Sequence, residues 1–270
     1  MFFDWLRRRR RRRILAQPFP ESWHEIITTN VRHSAHLTED QLHRLRQKIQ
    51  IFVAEKNWEG CRGLEITDEV KVTIAAMACL LVLELKQGVY FDHVLSVLVY
   101  PNSYVASGIE IGRAGVVVEG GQARLGEAWW RGPVILSWHE VLAAGRRNSP
   151  GQNLVFHEFA HQLDMMNGRL TDGVPPLEAD DEVQRWLDVL GPEYDRLVEK
   201  CRRGHHAFID CYGATNAAEF FAVLTEVFFE NPHQLTVHHA DAYAVLRDYY
   251  RQDPVTWPAD SQHRKRKYHR

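Results

Sequence analysis

The segment Val155-Phe156-His157-Glu158-Phe159-Ala160-His161-Gln162-Leu163-Asp164 constrains this chain more than any other, because it carries the one HExxH in 270 residues. On a helix, residues four apart sit one above the other on the same face. His157 and His161 can therefore direct two imidazoles at one metal ion. Glu158 follows the first of them and can reach a water on that metal without ligating it. Val155, Phe156, Phe159, Ala160 and Leu163 keep the rest of the segment apolar, as a buried helix requires. Chance placement gives on the order of 0.06 such motifs in a chain of this length and composition. A core helix with incidental histidines is the weaker alternative. Trp138-His139-Glu140 imitates the first half of the pattern, but Ala143 stands where a second histidine would be needed.

The chain on either side is long enough, and at 45% apolar residues rich enough, to surround such a helix with a sizeable core. Its charge is uneven. Arg7 to Arg13 form an unbroken basic run near the start, and Arg264, Lys265, Arg266, Lys267 and Arg270 crowd the end. Without those twelve, 21 basic residues face 35 acidic ones, so an acidic body carries basic ends. Such runs are expected to be solvated, flexible tails. Residues 1–20 and 258–270 are assigned to them, and 21–257 to a single domain. Contact of the tails with nucleic acid or anionic lipid is the alternative; Met1-Phe2-Phe3-Asp4-Trp5-Leu6 is the stretch that could graze a membrane surface. No apolar signal region follows the arginines, and the most apolar stretch, Val72 to Leu85, is too short to span a bilayer. Cys61, Cys79, Cys201 and Cys211 form no CxxC and are expected as reduced thiols. A cytoplasmic protein without stable membrane insertion is the expectation.

Element signals predict an α+β domain, mainly helical. Thr38-Glu39-Asp40-Gln41 is a capping box opening a helix to about Lys56. Thr67 caps a second, from Asp68 to about Lys86, apolar on nearly every side and hence deeply buried. Val94–Tyr100, Gly115–Val118 and Gly132–Trp138 are β-branched-rich runs between Pro, Asn and Gly, and predict the strands of a small mixed sheet beside the motif helix. Pro133 suits an edge position, where a missing N–H costs nothing. An edge strand through Val134, Ile135 and Leu136 is where an extended peptide could pair by strand addition, or simply the last strand of the sheet. Asn153 caps the motif helix, which is expected to reach about Met166. Further helices are predicted near 181–190, 192–202, 217–230 and 240–252.

Two histidines do not complete a catalytic zinc site, which takes three protein ligands and keeps one position for water. A third histidine six residues beyond the second is excluded, since Asn167 stands there. A glutamate from a later helix is the remaining common solution, and Glu219 and Glu226, seven apart on one helix face, compete for it. Glu219 also fits a capping-box-like pair with Asn216, and the residues alone leave the choice open. Asp164, three residues after His161 and seven after His157, lies on the ligand face and suits a carboxylate that orients an imidazole N–H.

The segment Asp210-Cys211-Tyr212-Gly213-Ala214-Thr215-Asn216-Ala217-Ala218-Glu219-Phe220-Phe221-Ala222, downstream of the HExxH, resembles the Mlc titration factor A family of bacterial zinc peptidases. It is also similar to the catalytic domain of anthrax toxin lethal factor, which has a Tyr-Gly pair followed by Glu-Phe-Phe-Ala. Gly126-Glu127-Ala128-Trp129 and Gly132–Trp138 match the family pattern too, so the likeness runs from about Leu95 to Gln252. The helical N-terminal part fits more loosely, and the arginine run lies outside the pattern.

The resemblance implies a zincin-like metallopeptidase domain with one zinc per chain, held by His157, His161 and Glu219. Glu158 would be the general base and Tyr212 the hydroxyl that steadies the oxyanion. It further implies peptide substrates, an aminopeptidase-type activity, and binding of a transcriptional repressor of sugar-uptake genes. In one alternative the repressor binding is the main role and proteolysis is minor; in a weaker one the basic ends tether the chain to nucleic acid.

Overall fold

A computed structural model describes residues 2–85, 89–102, 105–106, 109–111, 117–118, 132–146, 151–168 and 171–257. Helices dominate it, and a three-stranded parallel sheet supports one side of the motif helix.

The helical part begins earlier than the sequence suggests. Helix α1 (Phe2–Leu15) contains the whole arginine run expected as a flexible tail. It is pinned to the body by Arg11, which forms a bidentate pair with Glu55 at 2.6 and 3.0 Å, also meets Asp92, and stacks over Tyr90 at 4.2 Å. Arg7 reaches Asp92 at 2.5 Å, and Arg10 donates to the Ala54 carbonyl at 3.1 Å. Periodicity could not reveal this docking, because its partners lie more than forty residues away. Residues 258–270, the expected C-terminal tail, fall outside the described residues.

Helix α2 (Glu21–Asn30) leads into α3 (Glu39–Glu55). The expected capping box is present: Thr38 accepts from the Gln41 N–H and Gln41 returns the bond to the Thr38 N–H at 2.9 Å. Strand β1 (Asn57–Gly60) follows, in a stretch for which no element was expected. Helix α4 (Asp68–Leu81), capped by Thr67, is buried from Val72 to Leu81 and forms the floor of the core. β1 pairs in parallel with β2 (Ser96–Tyr100). Three short strands, β3 (Val105–Ala106), β4 (Ile109–Ile111) and β5 (Val117–Val118), pair antiparallel in a second sheet. The chain returns to the first sheet with β6 (Val134–Ser137), parallel to β2 with Val97 opposite Val134. The sheet beside the motif helix is therefore parallel throughout its described strands, not mixed. Parallel neighbours need long crossovers, and α4 and the 105–118 strands occupy them.

β6 runs directly into α5 (Trp138–Arg146), and the motif helix α6 (Leu154–Asp164) follows. Helix α7 (Asp180–Arg202) is continuous where two helices were expected; Pro192 sits inside it without ending it. Helix α8 (Ala217–Glu230) is buried from Ala218 onward and packs along α6. α9 (Pro232–His238) and α10 (Ala240–Tyr250) close the far side.

The thiol expectation fails for one pair: Cys201 and Cys211 are joined as a disulfide, with Cα atoms 5.7 Å apart. The last turn of α7 and the short 3-10 turn Cys211–Ala214 come back together, which a ten-residue spacing does not announce. Cys61 and Cys79 are free.

Candidate metal centre

The site is built from two buried helices side by side. Asn153 starts α6 by accepting from the N–H groups of Val155 and Phe156 at 3.1 and 3.2 Å, which offsets two of the orphan donors at a helix N-terminus. Phe156 and Phe159 bury against the core, Phe156 against Phe229 and Phe159 against Phe52 and Phe91. The opposite face, with His157 and His161, turns to α8. The two imidazoles meet with Nε2 atoms 3.2 Å apart. Glu219, in the first turn of α8, brings Oε2 to 3.0 Å from His157 Nε2 and 3.4 Å from His161 Nε2. Asn216 places that turn by accepting the Glu219 N–H at 2.9 Å. The cap belongs to Glu219's backbone, so its carboxylate is free to join the histidines.

These three ligand atoms, from residues that are all buried, suit one metal ion. Tetrahedral zinc with bonds of roughly 2.0–2.2 Å holds its ligand atoms about 3.3–3.6 Å apart, close to the separations here. Hydrogen bonds within the cluster set how its members titrate. Burial would lower His157, but the Glu219 and Glu226 carboxylates on its two ring nitrogens raise it to about 10. Burial lowers His161. Burial would raise Glu219, yet its bonds to both histidines hold it at about 2, in the anionic form a metal needs.

Glu226, the rival third ligand, stands on the other side of the same ring. Its Oε1 meets His157 Nδ1 at 2.8 Å, and its Oε2 accepts the Asn153 N–H at 2.5 Å. The chain continues through Asn153 Nδ2 to Glu230 at 2.8 Å, and Arg32 pairs with Glu230 from α2's end. Glu226 thus fixes the tautomer that leaves Nε2 facing the ligand cluster. That role had been expected of Asp164. Asp164 instead accepts the Gly173 N–H at 2.8 Å, and among the described residues no hydrogen bond joins it to either histidine. Side chains on one helix face still diverge along the axis, and Asp164 is one turn past His161, beyond the site. The sequence did hold a signal for Glu226: three carboxylates, Glu219, Glu226 and Glu230, interrupt an otherwise apolar helix, and each needs a partner when buried.

Glu158 is buried beside the cluster, and its Oε1 has no hydrogen-bond partner among the described residues. Burial, with Glu219 and Glu226 nearby, raises its carboxyl to about 8 despite His157. Tyr212 lies in the 3-10 turn held by the disulfide, its ring centroid 5.9 Å from that of His157. Burial and the Glu219 and Glu158 carboxylates push its phenol upward, so it keeps its proton and can donate. Gly213 packs against Leu197 and Val223, seating the turn between α7 and α8. Tyr212, His157 and Glu226 share the wall of a cavity of about 250 Å³ with Glu140, Asp210 and Val223. Val134 and Leu136 point into the core and Ile135 is half-buried; β6 is, with β1, one of the two edge strands among the described residues of its sheet, and packs near α6. Gly126–Trp129 lies outside the described residues.

Two helix-borne histidines and a glutamate from a neighbouring helix are the ligand chemistry of metal-dependent hydrolases. Comparison narrows the class: residues 5–251 match the family of glucose-regulated metallo-peptidases M90, and the chain belongs to that family. The match begins inside α1, so it includes the arginine run. An uncharacterized Synechocystis protein, slr2042, is 39% identical over 94% of this chain and 90% of its own length. The Mlc titration factor A proteins of Yersinia pestis and Yersinia pseudotuberculosis are 32% identical over 86% of this chain and 85% of theirs. No described helix is long and apolar enough to cross a membrane.

Proposed function

We propose that this chain is a zinc-dependent peptidase of aminopeptidase type, with one zinc held by His157, His161 and Glu219. The observation that carries the reading is the meeting of three ligand atoms within 3.4 Å, beside a Glu158 oxygen that has no hydrogen-bond partner among the described residues. Zinc in such a site lowers the pKa of a water to near ~7 and polarises a carbonyl. The positive charge of a bound zinc would hold the neighbouring Glu158 in its carboxylate form, in which it takes the proton of the attacking water and hands it to the leaving amine. The Tyr212 hydroxyl donates to the oxyanion as charge develops there. Glu226 holds His157 by Nδ1 and keeps it oriented through the cycle. The edge of β6 is the proposed rail for the substrate backbone.

We also propose a second role that the family resemblance implies, binding of a transcriptional repressor of sugar-uptake genes; the name of the Yersinia relatives, Mlc titration factor A, supports binding of Mlc. In the rival reading, sequestration of that repressor is the main function and proteolysis is minor. Glu158→Gln separates the two, because it removes the base and leaves the surface unchanged. The test is hydrolysis of aminoacyl p-nitroanilides, with and without chelator, alongside metal content. We expect Glu158→Gln to retain metal and lose turnover by about 10²–10⁴-fold. Parental turnover in that variant would overturn the peptidase mechanism. Repressor binding unchanged by it, with no chelator-sensitive hydrolysis in the parent, would favour sequestration.

A further inference from the structure

The arginine run has no part in the metal centre, yet α1 presents it in an ordered way. Helical geometry divides the run into two faces, 100° per residue. Arg7, Arg10 and Arg11, with half-buried Ile14 and Leu15, face the body through Glu55, Asp92 and the Ala54 carbonyl. Arg8, Arg9, Arg12 and Arg13 are exposed on the outward face, around Trp5. Trp5 is 48% exposed and lies under the Arg9 guanidinium at 5.4 Å. Leu6 is 41% exposed, and at the flank of α1 it lines one cleft with Leu95, itself 48% exposed, beside Arg7, Arg10, Glu55 and Asp92. Three of the five large apolar side chains exposed among the described residues therefore gather at this end of the molecule.

From this face we infer that α1 is a docking surface for an anionic lipid bilayer. The outward arginines match the phosphates of the headgroup layer, and Trp5, Leu6 and Leu95 supply the amphipathic and apolar contacts that such an interface accepts. Nucleic acid would use the same guanidinium–phosphate pairing but gives Leu6 and Leu95 nothing to bury in. Apart from the basic residues 264–270, the remaining chain is acidic on balance, so an anionic surface repels the body, and among the described residues α1 is the basic face that meets it. The interaction is peripheral, since no described helix is apolar enough to span.

The test is co-sedimentation of the full chain with vesicles of phosphatidylcholine alone and of phosphatidylcholine with phosphatidylglycerol. Binding is expected only to the anionic vesicles and is expected to fall with salt. Each arginine near such a surface contributes about five-fold. Replacing Arg8, Arg9, Arg12 and Arg13 together by Gln is expected to weaken binding by several hundred-fold; replacing them by Lys is expected to retain it. Unchanged thermal melting of both variants shows that the body-facing contacts of α1 survive. Trp5→Ala is expected to weaken vesicle binding while leaving affinity for a DNA duplex unaltered. The inference is overturned by equal binding to neutral vesicles or by none to anionic ones. It is also overturned if duplex DNA binds more tightly than the anionic vesicles, or if the Gln variant loses only self-association.

Discussion

Glu226 and Asp164 show how little a residue's position on a helix face says about what it touches. Both were placed on the ligand side by spacing; only Glu226 meets a histidine. Removing Glu226 leaves His157 Nδ1 and the Asn153 N–H without their acceptor. Glu226→Ala is expected to weaken metal binding about 10–100-fold, measured by competition with a chromophoric chelator. An unchanged affinity would show that His157 needs no such support. Asp164 makes a different forecast. Burial pushes its carboxyl up to about 7, against an ordinary value of about 3.9. The folded protein holds this proton more tightly than the unfolded chain. The associated stability is therefore fully present below pH ~3.9 and lost as pH rises through ~7. Asp164→Asn keeps an acceptor for Gly173 and carries no charge to bury. We expect it to melt higher than the parent at pH ~8 and no higher at pH ~4; a pH-independent difference would contradict the assignment.

Among the elements, α6 was the most legible: its cap, its apolar back and its paired histidines are all local. The capping box of α3 and the burial of α4 were readable for the same reason. What escaped was set by distant partners. α1 is held by Glu55 and Asp92, β1 by pairing with β2, and α7 stays continuous through Pro192 because its flanks pack on neighbouring helices. Tyr212 was named by the family resemblance and not by local pattern, because its turn is carried between α7 and α8 and tied to α7 by Cys201–Cys211. In a chain-entropy account, a bridge closing so short a loop contributes about 2–3 kcal/mol. Cys201→Ser with Cys211→Ser should lower the melting temperature accordingly. If the bridge also seats Tyr212, kcat should fall in the double variant but not further when Tyr212→Phe is added. Additive losses would mean that the bridge acts on stability alone. If Tyr212 served packing alone, Tyr212→Phe would instead lose much stability with little kinetic effect.

For the whole molecule, the ligand cluster links α6 to α8, and the Glu226–Asn153–Glu230 chain extends that link through Arg32 to the 3-10 turn that follows α2. A ligand that binds only the folded state adds stability, about 2.7 kcal/mol at a concentration 100 times its Kd. Stripping the metal with chelator should therefore lower the melting temperature of the parent and leave that of His157→Ala unmoved. The likeness to lethal factor and the family motif favoured Glu219 over Glu226; the residues alone did not, because both glutamates lie on the face of α8 that meets α6.

The most direct test of that choice is zinc content by mass spectrometry of purified parent, Glu219→Gln and Glu226→Gln, after equal dialysis against a weak chelator. The account predicts one zinc per chain in the parent, near-complete loss in Glu219→Gln, and zinc retained in Glu226→Gln. Full zinc in Glu219→Gln beside a metal-free Glu226→Gln would contradict it.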